Sequence, residues 1–320
     1  MNIFITGGCG YVGSSLVPKL LSVGHELTVV DTHWFGNYLK PHPHLTVVKG
    51  NYLDNLDRLT SSFDCVIHLA NIANDPGADL APTLSWEVNV LGAELLGRQA
   101  QNAGIEQLIY ASSGSVYGVK VEEHVTEDLE LVPISIYNKT KMVAERVLMG
   151  FKDSFQVHIV RPATVCGYSP RMRFDVSVNM FVMQAICNGK VTLFGGDQIR
   201  PNITITDMVA VYEHFLLHPY LESGCYNAGF ENISLRDLCL EIKLRTGCDI
   251  EVTPSNDPRS YRQCSDKLLA TGFRPSSCVN DVINDLSTRL SGGQLVVDDS
   301  MNTVKWMKSL NLGERYLGGS

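Results

Sequence analysis

Asn2-Ile-Phe-Ile-Thr-Gly-Gly-Cys-Gly-Tyr-Val-Gly13 opens with an apolar run and passes into glycines spaced G-x-x-G-x-x-G at 7, 10 and 13. Asn2 to Thr6 reads as a short buried strand and Tyr11 to Val23 as a helix, so the glycines occupy the turn between them. A strand turning directly into a helix aims unpaired backbone N–H groups, and the positive end of the helix dipole, at one point where an anion such as a pyrophosphate is stabilised. Gly7 permits the tight turn, Gly10 lets phosphates approach the backbone, and Gly13 lets the helix pack closely on the strand. Tyr11 and Val12 lie in the same turn.

About twenty residues further on, Leu27-Thr-Val-Val-Asp31 is a second apolar strand ending in an acid. A carboxylate there accepts hydrogen bonds from ribose hydroxyls and repels a 2′-phosphate, which points to NAD over NADP. Apolar runs continue at Leu45–Lys49 and Asp64–Ala70, alternating with helical stretches. That alternation predicts an α/β chain with a doubly wound parallel sheet, its strands covered on both faces. Cofactor contacts are expected at the carboxyl ends of the strands, from Leu69 and Ala70 after the fourth and from Asn51 and Tyr52 after the third. Asn51 reads equally well as an adenine partner or as a turn residue. Asn89, polar among apolar neighbours in the helical stretch 82–103, reads as a structural hydrogen-bonding residue at the cofactor site.

The fifth strand, Gln107–Ser112, runs into the hydroxyl-rich loop Ser112-Ser-Gly-Ser-Val-Tyr-Gly118. Tyr137-Asn-Lys-Thr-Lys141 then opens a helix to about residue 150, and the i, i+4 spacing puts Tyr137 and Lys141 on one face. An ammonium there favours the ionised phenol, so the tyrosine pKa is expected to fall toward working pH.

With 44% apolar and 19% charged residues among 320, the composition is that of a globular enzyme. A net charge of −8 argues against a nucleic-acid or anionic-membrane surface, and no apolar run reaches the length of a membrane span. The nine cysteines are scattered without a C-x-x-C pair, which reads as reduced thiols in a cytoplasmic protein with no metal site.

The sequence resembles the extended short-chain dehydrogenase/reductase family, whose members act on nucleotide sugars. The matching residues are Thr6–Gly13, Asp31, His68–Ala70, Asn89–Gly92, Ser112–Ser113 with Val116–Gly118, Tyr137 with Lys141, and Arg161–Gly167. The resemblance implies a Rossmann sheet with Tyr137 as acid/base, Lys141 on the nicotinamide ribose and Ser113 on the reacting hydroxyl. Ser112 and Pro162 would border the nicotinamide. It further implies a smaller α/β C-terminal lobe that holds the nucleotide sugar through Ser115, Asn179, Arg200 and a second arginine, Arg259 or else Arg262, although Pro201 replaces the aspartate usual after Arg200. The expected division is 1–165 with 204–227 for the NAD domain, and 166–203 with 228–320 for the substrate lobe.

Two stretches, 163–179 and 257–273, resemble a narrower group that oxidises C4 of GDP-heptose, and they place Arg171 and Arg173 near the substrate mouth. Family dehydratases resemble one another in an Asp-Glu pair just after the catalytic Ser/Thr, where this chain has Gly114 and Ser115. The leading expectation is therefore a C4 epimerase, with a C4 dehydrogenase as alternative. A cofactor sensor of the same fold is a rival that Tyr137, Lys141 and Ser113 argue against. Helices 82–103 and 135–150 resemble the pair that family dimers pack together, with Leu91, Leu95, Met142 and Val143 as contacts or, equally, as core. Residues after Ser291 carry no readable signal.

Overall fold

The fold, from a computed structural model, is described for residues 1–255 and 260–311. Its strands are β1 (Asn2–Thr6), β2 (Glu26–Asp31), β3 (Leu45–Lys49), β4 (Cys65–His68), β5 (Gln107–Ala111), β6 (Gln156–Pro162), β7 (Thr164–Cys166), β8 (Lys190–Phe194), β9 (Ile199–Thr204), β10 (Gly224–Ala228), β11 (Glu231–Ser234) and β12 (Asp249–Thr253). Seven of them form one parallel sheet in the order β3-β2-β1-β4-β5-β6-β10. The order reverses direction at β1, where the crevice for a ligand opens at the strands' carboxyl ends.

Alternation along each strand explains why these runs are apolar throughout. Ile3 and Ile5 of β1 face one side with Leu16, Leu20 and Phe215, while Phe4 between them faces the other with Leu96, Ala100 and Leu148. The first side is covered by α1 (Gly13–Ser22) and by a later helix, Ile205–Leu217. The second is covered by α2 (Asp75–Leu80), α3 (Pro82–Trp86), α4 (Gly92–Ala103) and α5 (Ile136–Met149). The helix expected over 82–103 is not continuous: a wide π-type turn, Glu87–Leu91, separates α3 from α4. The Tyr52 hydroxyl donates to the Val88 carbonyl at 2.6 Å in that turn, and a Cβ at Gly92 would lie 1.8 Å from the same oxygen.

The second lobe is built on α6 (Ser177–Asn188), α8 (Leu235–Thr246) and α10 (Val279–Ser291), with α7 being the Ile205–Leu217 helix already placed on the large sheet and α9 a short turn of helix, Asp266–Ala270. Phe181, Val182, Leu238, Ile242, Ile283 and Leu286 form its core. Two small sheets flank it, β11-β9-β7 and β12-β8.

One segment departs from the expected division. Helix α11 (Thr303–Ser309), assigned from sequence to the lobe, returns to the large sheet, where buried Met307 packs with Leu84 and Val88. The Trp306 indole N–H donates to the Trp34 carbonyl at 2.6 Å.

The apolar face beside α4 is open. Trp86 is 41% exposed, Leu91 51% and Leu95 39%, whereas Met142 packs inward against the Val116–Tyr117–Val125 cluster and so belongs to the core. We propose that this face pairs with a second copy of the chain. Light scattering at micromolar concentration should return a dimer, and Leu91→Glu with Leu95→Glu should convert it to a monomer; a wild-type monomer rejects the pairing.

Candidate active site

A cavity of about 1280 Å³ opens along the carboxyl edge of the large sheet, bounded by the glycine turn, the ends of β2 through β6, the 171–176 segment and α11. The three glycines do different things there. Gly7 has φ +74°, and a Cβ on it would lie 2.5 Å from the Ala70 amide nitrogen. A Cβ on Gly13 would lie 2.5 Å from the Gly8 carbonyl oxygen, so the helix sits hard against the turn. Gly10 meets only the Gly7 carbonyl, at 3.3 Å, and otherwise faces open space in the cavity. That open side suits a pyrophosphate lying against the backbone.

Asp31 ends β2 with its carboxylate accepting from the Cys9 amide at 3.0 Å and the His33 amide at 2.8 Å. Burial pushes its pKa up, opposed by those two amides. Asn51 caps the short helix after β3, its side chain accepting from the Leu53 amide at 3.2 Å, while the residue still lines the cavity. Tyr52, Val12, Leu69, Ala70 and Pro162 line it as well. Tyr11 also borders it, although its hydroxyl donates into the second lobe, to the Gly167 carbonyl at 2.6 Å.

Ser113 and Ser115 lie on the loop after β5, with Tyr137 and Lys141 on the first turns of α5, which Ser135 caps. The Ser115 hydroxyl donates to Asn138 at 2.7 Å and lies 2.8 Å from the Ser113 hydroxyl. The Tyr137 phenol faces the same cavity as Ser113, whose hydroxyl lowers the phenol's pKa. Ser112 points away, its hydroxyl donating to the buried Glu145 carboxylate. Glu145 in turn holds Arg161 through a two-pronged pair at 2.8 and 3.0 Å, and Arg161 donates to the Tyr117 hydroxyl at 2.8 Å. This buried network ties β5, β6 and α5 together beneath the site.

Lys141 sits closer to Tyr110 than to Tyr137, the neighbour its spacing suggested. Its ammonium donates to the Ala111 carbonyl at 2.6 Å and lies 4.7 Å from the Tyr110 ring centre but 5.9 Å from that of Tyr137. Burial lowers Lys141 to about 7, opposed by Glu145. Burial likewise pushes the Tyr137 phenol up to about 12, opposed by the Ser113 hydroxyl and by Arg173. The cation that favours the phenolate here is Arg173, which a sequence spacing rule has no means of finding.

Asn89 keeps its structural role though not a place at the cofactor, and two more assignments change. Asn89 lies outside the cavity lining: its side chain accepts from the Ile72 amide at 2.8 Å and donates to Thr140 at 3.0 Å. Asn179, fully buried, accepts from the Gly167 amide at 2.9 Å and donates to the Tyr11 hydroxyl at 3.0 Å, pinning the two lobes instead of meeting a substrate. Arg200 lies on β9 and does not border the cavity. Arg259 falls outside the described residues. Arg171 and Arg173 do border it, joined by residues the sequence reading passed over: Asp75, Asp175, Thr303, Lys305 and Lys308. Asp175 accepts from Arg173 at 2.8 Å and from Asn74 at 3.1 Å, and Arg173 holds its carboxyl below the usual range despite burial. Among the described residues no cluster of His, Cys, Asp or Glu could hold a metal ion, and no helix is long and apolar enough to cross a membrane.

The sequence model of the NAD dependent epimerase/dehydratase family matches residues 3–229, and the chain belongs to that family. Its cofactor is NAD, and the glycine turn and the Asp31 strand end fit that group. A UDP-glucose 4-epimerase of Lactobacillus helveticus is 26% identical over 322 residues, covering 88% of this chain and 95% of its own. A UDP-glucuronic acid decarboxylase of Xenopus tropicalis is 29% identical over 226 residues, 65% of this chain and 52% of its own. Among solved structures, the NAD complex of Thermus thermophilus UDP-glucose 4-epimerase superposes with a TM-score of 0.78 at 25% identity, covering 91% of this chain and 99% of that one. A dTDP-glucose 4,6-dehydratase of Streptomyces venezuelae with NAD bound gives 0.81 at 22%, covering 92% and 98%, a likeness of fold.

Two outcomes follow from these side chains. Asp31 should make NADP bind at least about tenfold more weakly than NAD, because a second negative charge would sit against a poorly solvated carboxylate; calorimetric titration giving equal affinities would remove that role. Lys141 has a folded pKa of about 7 against an ordinary 10.5. Between those values the unfolded chain binds the extra proton, so stability rises with pH and the burial penalty is complete only below about 7. Thermal unfolding of the nucleotide-free chain should show any advantage of Lys141→Met greatest at or below pH 7 and shrinking toward pH 10; an advantage independent of pH contradicts the neutral lysine.

Proposed function

We propose that this chain is a nucleotide-sugar 4-epimerase, with Tyr137, Ser113 and Lys141 as its catalytic residues. The carrying observation is the Tyr137–Ser113 pair at the carboxyl end of β5, set in a cavity large enough for a dinucleotide and a nucleotide sugar together. The family and the epimerases among the relatives support it.

Bound NAD supplies a hydride acceptor. Ser113 positions the C4 hydroxyl, and Tyr137, as the phenolate, takes its proton and returns it when hydride comes back on the other face. Burial holds the phenol's own pKa at about 12, so Tyr137 has to be in its phenolate form before it can accept the C4 hydroxyl proton. Arg173 is the nearby cation that would stabilise the phenolate. Net oxidation at C4, the alternative suggested by the 163–179 resemblance, uses the same first step and differs in whether hydride returns. The nine free thiols fit a reducing cytoplasm, where we place the enzyme.

The loop favours chemistry at one carbon. Ser115 is a neutral hydroxyl already bonded to Asn138, and a side chain at Gly114 would have to displace the Gln263 side-chain oxygen, 2.9 Å from its Cβ, and the Tyr261 hydroxyl, 3.1 Å from it. The carboxylates in the cavity are Asp31, Asp75 and Asp175. Asp31 is bound to the glycine turn and Asp175 to Arg173, while Asp75 accepts from Ser135 at 2.6 Å.

Incubation with a panel of nucleotide sugars and NAD, read by nicotinamide absorbance and product mass, should give an isomer of unchanged mass; a product lighter by two hydrogens establishes the dehydrogenase. Tyr137→Phe should fold and bind NAD yet lose about 10²–10⁴-fold in turnover, and near-normal turnover makes the phenol structural. In D₂O the product should carry no carbon-bound deuterium and lose no water; either result would identify a second acid/base, with Asp75 the first residue to replace.

A further inference from the structure

We infer that Arg171 is a ligand of the cofactor's own pyrophosphate, and that α11 closes over the dinucleotide and holds Arg171 in place. This departs from the substrate role that the sequence suggested for it.

The main chain before Arg171 is stitched to the start of α1. The Ser169 hydroxyl donates to the Tyr11 carbonyl at 2.6 Å and lies 2.8 Å from both the Ser14 and the Ser15 hydroxyls. The Arg171 amide donates to the Ser14 hydroxyl at 3.2 Å. Arg171 therefore leaves the backbone at the first turn of the helix whose N-terminus receives the pyrophosphate. Its side chain runs into the cavity wall and lays the guanidinium 4.0 Å from the Phe35 ring centre, just beyond the Asp31 strand end.

That guanidinium is short of acceptors. Arg171 is 4% exposed, yet among the described residues its side chain makes one hydrogen bond, to the Thr303 hydroxyl at 3.3 Å. Arginine offers five N–H donors, and a buried cation left unpaired is costly. The neighbouring carboxylates are engaged elsewhere, Asp175 with Arg173, Asn74 and the Thr303 amide, and Asp31 with Cys9 and His33. A diphosphate brought to this wall supplies the missing acceptors in the geometry a planar guanidinium fork matches.

Helix α11 completes the arrangement. Thr303 holds Arg171, its amide donates to Asp175 at 3.2 Å, Trp306 is tied to Trp34, and Met307 is buried on the large sheet. Its face toward the cavity carries Lys305 and Lys308. Arg173, two residues on, lies instead with Asp175 and beside Tyr137, so the two arginines serve different groups: Arg171 the cofactor, Arg173 the reacting end.

A sugar diphosphate offers the same chemistry as the cofactor's pyrophosphate, and titration separates them. The full chain freed of nucleotide is titrated with NAD and ADP-ribose by calorimetry and with adenosine by ligand-observed NMR; the NAD-loaded chain is titrated with UDP and GDP. Arg171→Gln should weaken NAD and ADP-ribose by about 10–100-fold, as expected for lost charge-assisted bonds, and leave adenosine, UDP and GDP unchanged. Arg171→Lys, which keeps the charge without the fork, should fall between. Thr303→Val, which leaves the arginine and removes its one hydrogen bond, should speed NAD release several-fold by stopped-flow, and it carries the test if Arg171→Gln does not fold. Unchanged NAD affinity, or an equal loss of NAD, ADP-ribose and adenosine, overturns the ligand role. Weakened UDP or GDP with normal NAD returns Arg171 to the substrate. An unchanged NAD release rate in Thr303→Val overturns the part given to α11.

Discussion

The molecule depends on how closely bare backbone approaches bare backbone at one corner of the large sheet. Gly7 brings its chain against Ala70 at the end of β4, and Gly13 brings α1 against the carbonyl of Gly8. Any side chain at either place would push α1 outward and open the crevice where β1 meets β2 and β4. Because these contacts leave no room, the helix N-terminus is aimed at a single small volume, and Gly10 keeps that volume free. The cofactor site is thus set by excluded volume before any polar contact is considered.

Polar groups then carry the fold outward from that corner. Tyr11 leaves the glycine turn and enters the core of the second lobe, where its hydroxyl is shared by Gly167 and Asn179. Ser169 makes a parallel seam with Ser14 and Ser15. A lobe attached this way cannot drift relative to the turn without exposing several buried hydrogen bonds, which keeps the sugar side in register with the cofactor side. On the other flank, Glu145 binds Arg161 and Ser112, so the end of β5, the strand β6 and α5 share one buried anchor. Breaking a pair buried to this degree would strand a charge, which makes it a positional constraint on the Ser113 and Tyr137 loops.

The site itself is a low-dielectric one. Burial moves Tyr137 up and Lys141 down, the direction that leaves both groups neutral before anything binds. The charges that remain are placed in pairs, with Arg173 on Asp175, while Arg171 is held by a ring and a hydroxyl. An anionic ligand therefore enters a cavity where the neutral groups can respond to it and where the Arg171 guanidinium still has donors to give.

Much of this was legible in one dimension because it follows from local chemistry. The strand–glycine–helix order, the acid ending β2 and the uniformly apolar strands each express a rule that operates within a few residues, and all of them appear as the structure has them. The Tyr137–Lys141 spacing correctly placed both on one helix face, but which neighbour each would find depended on Ala111, Tyr110 and Ser113, more than twenty residues away along the chain. Asn89 was legible as a structural hydrogen-bonding residue, but only the fold decided that its partners are Ile72 and Thr140, and that Asn179, expected at the sugar diphosphate by resemblance, bonds Gly167 and Tyr11. The return of α11 to the large sheet had no local signature at all. Trp306 finds the carbonyl of Trp34 across 272 residues of chain, and a contact of that kind exists only once tertiary packing has brought the two ends of the sequence to the same wall.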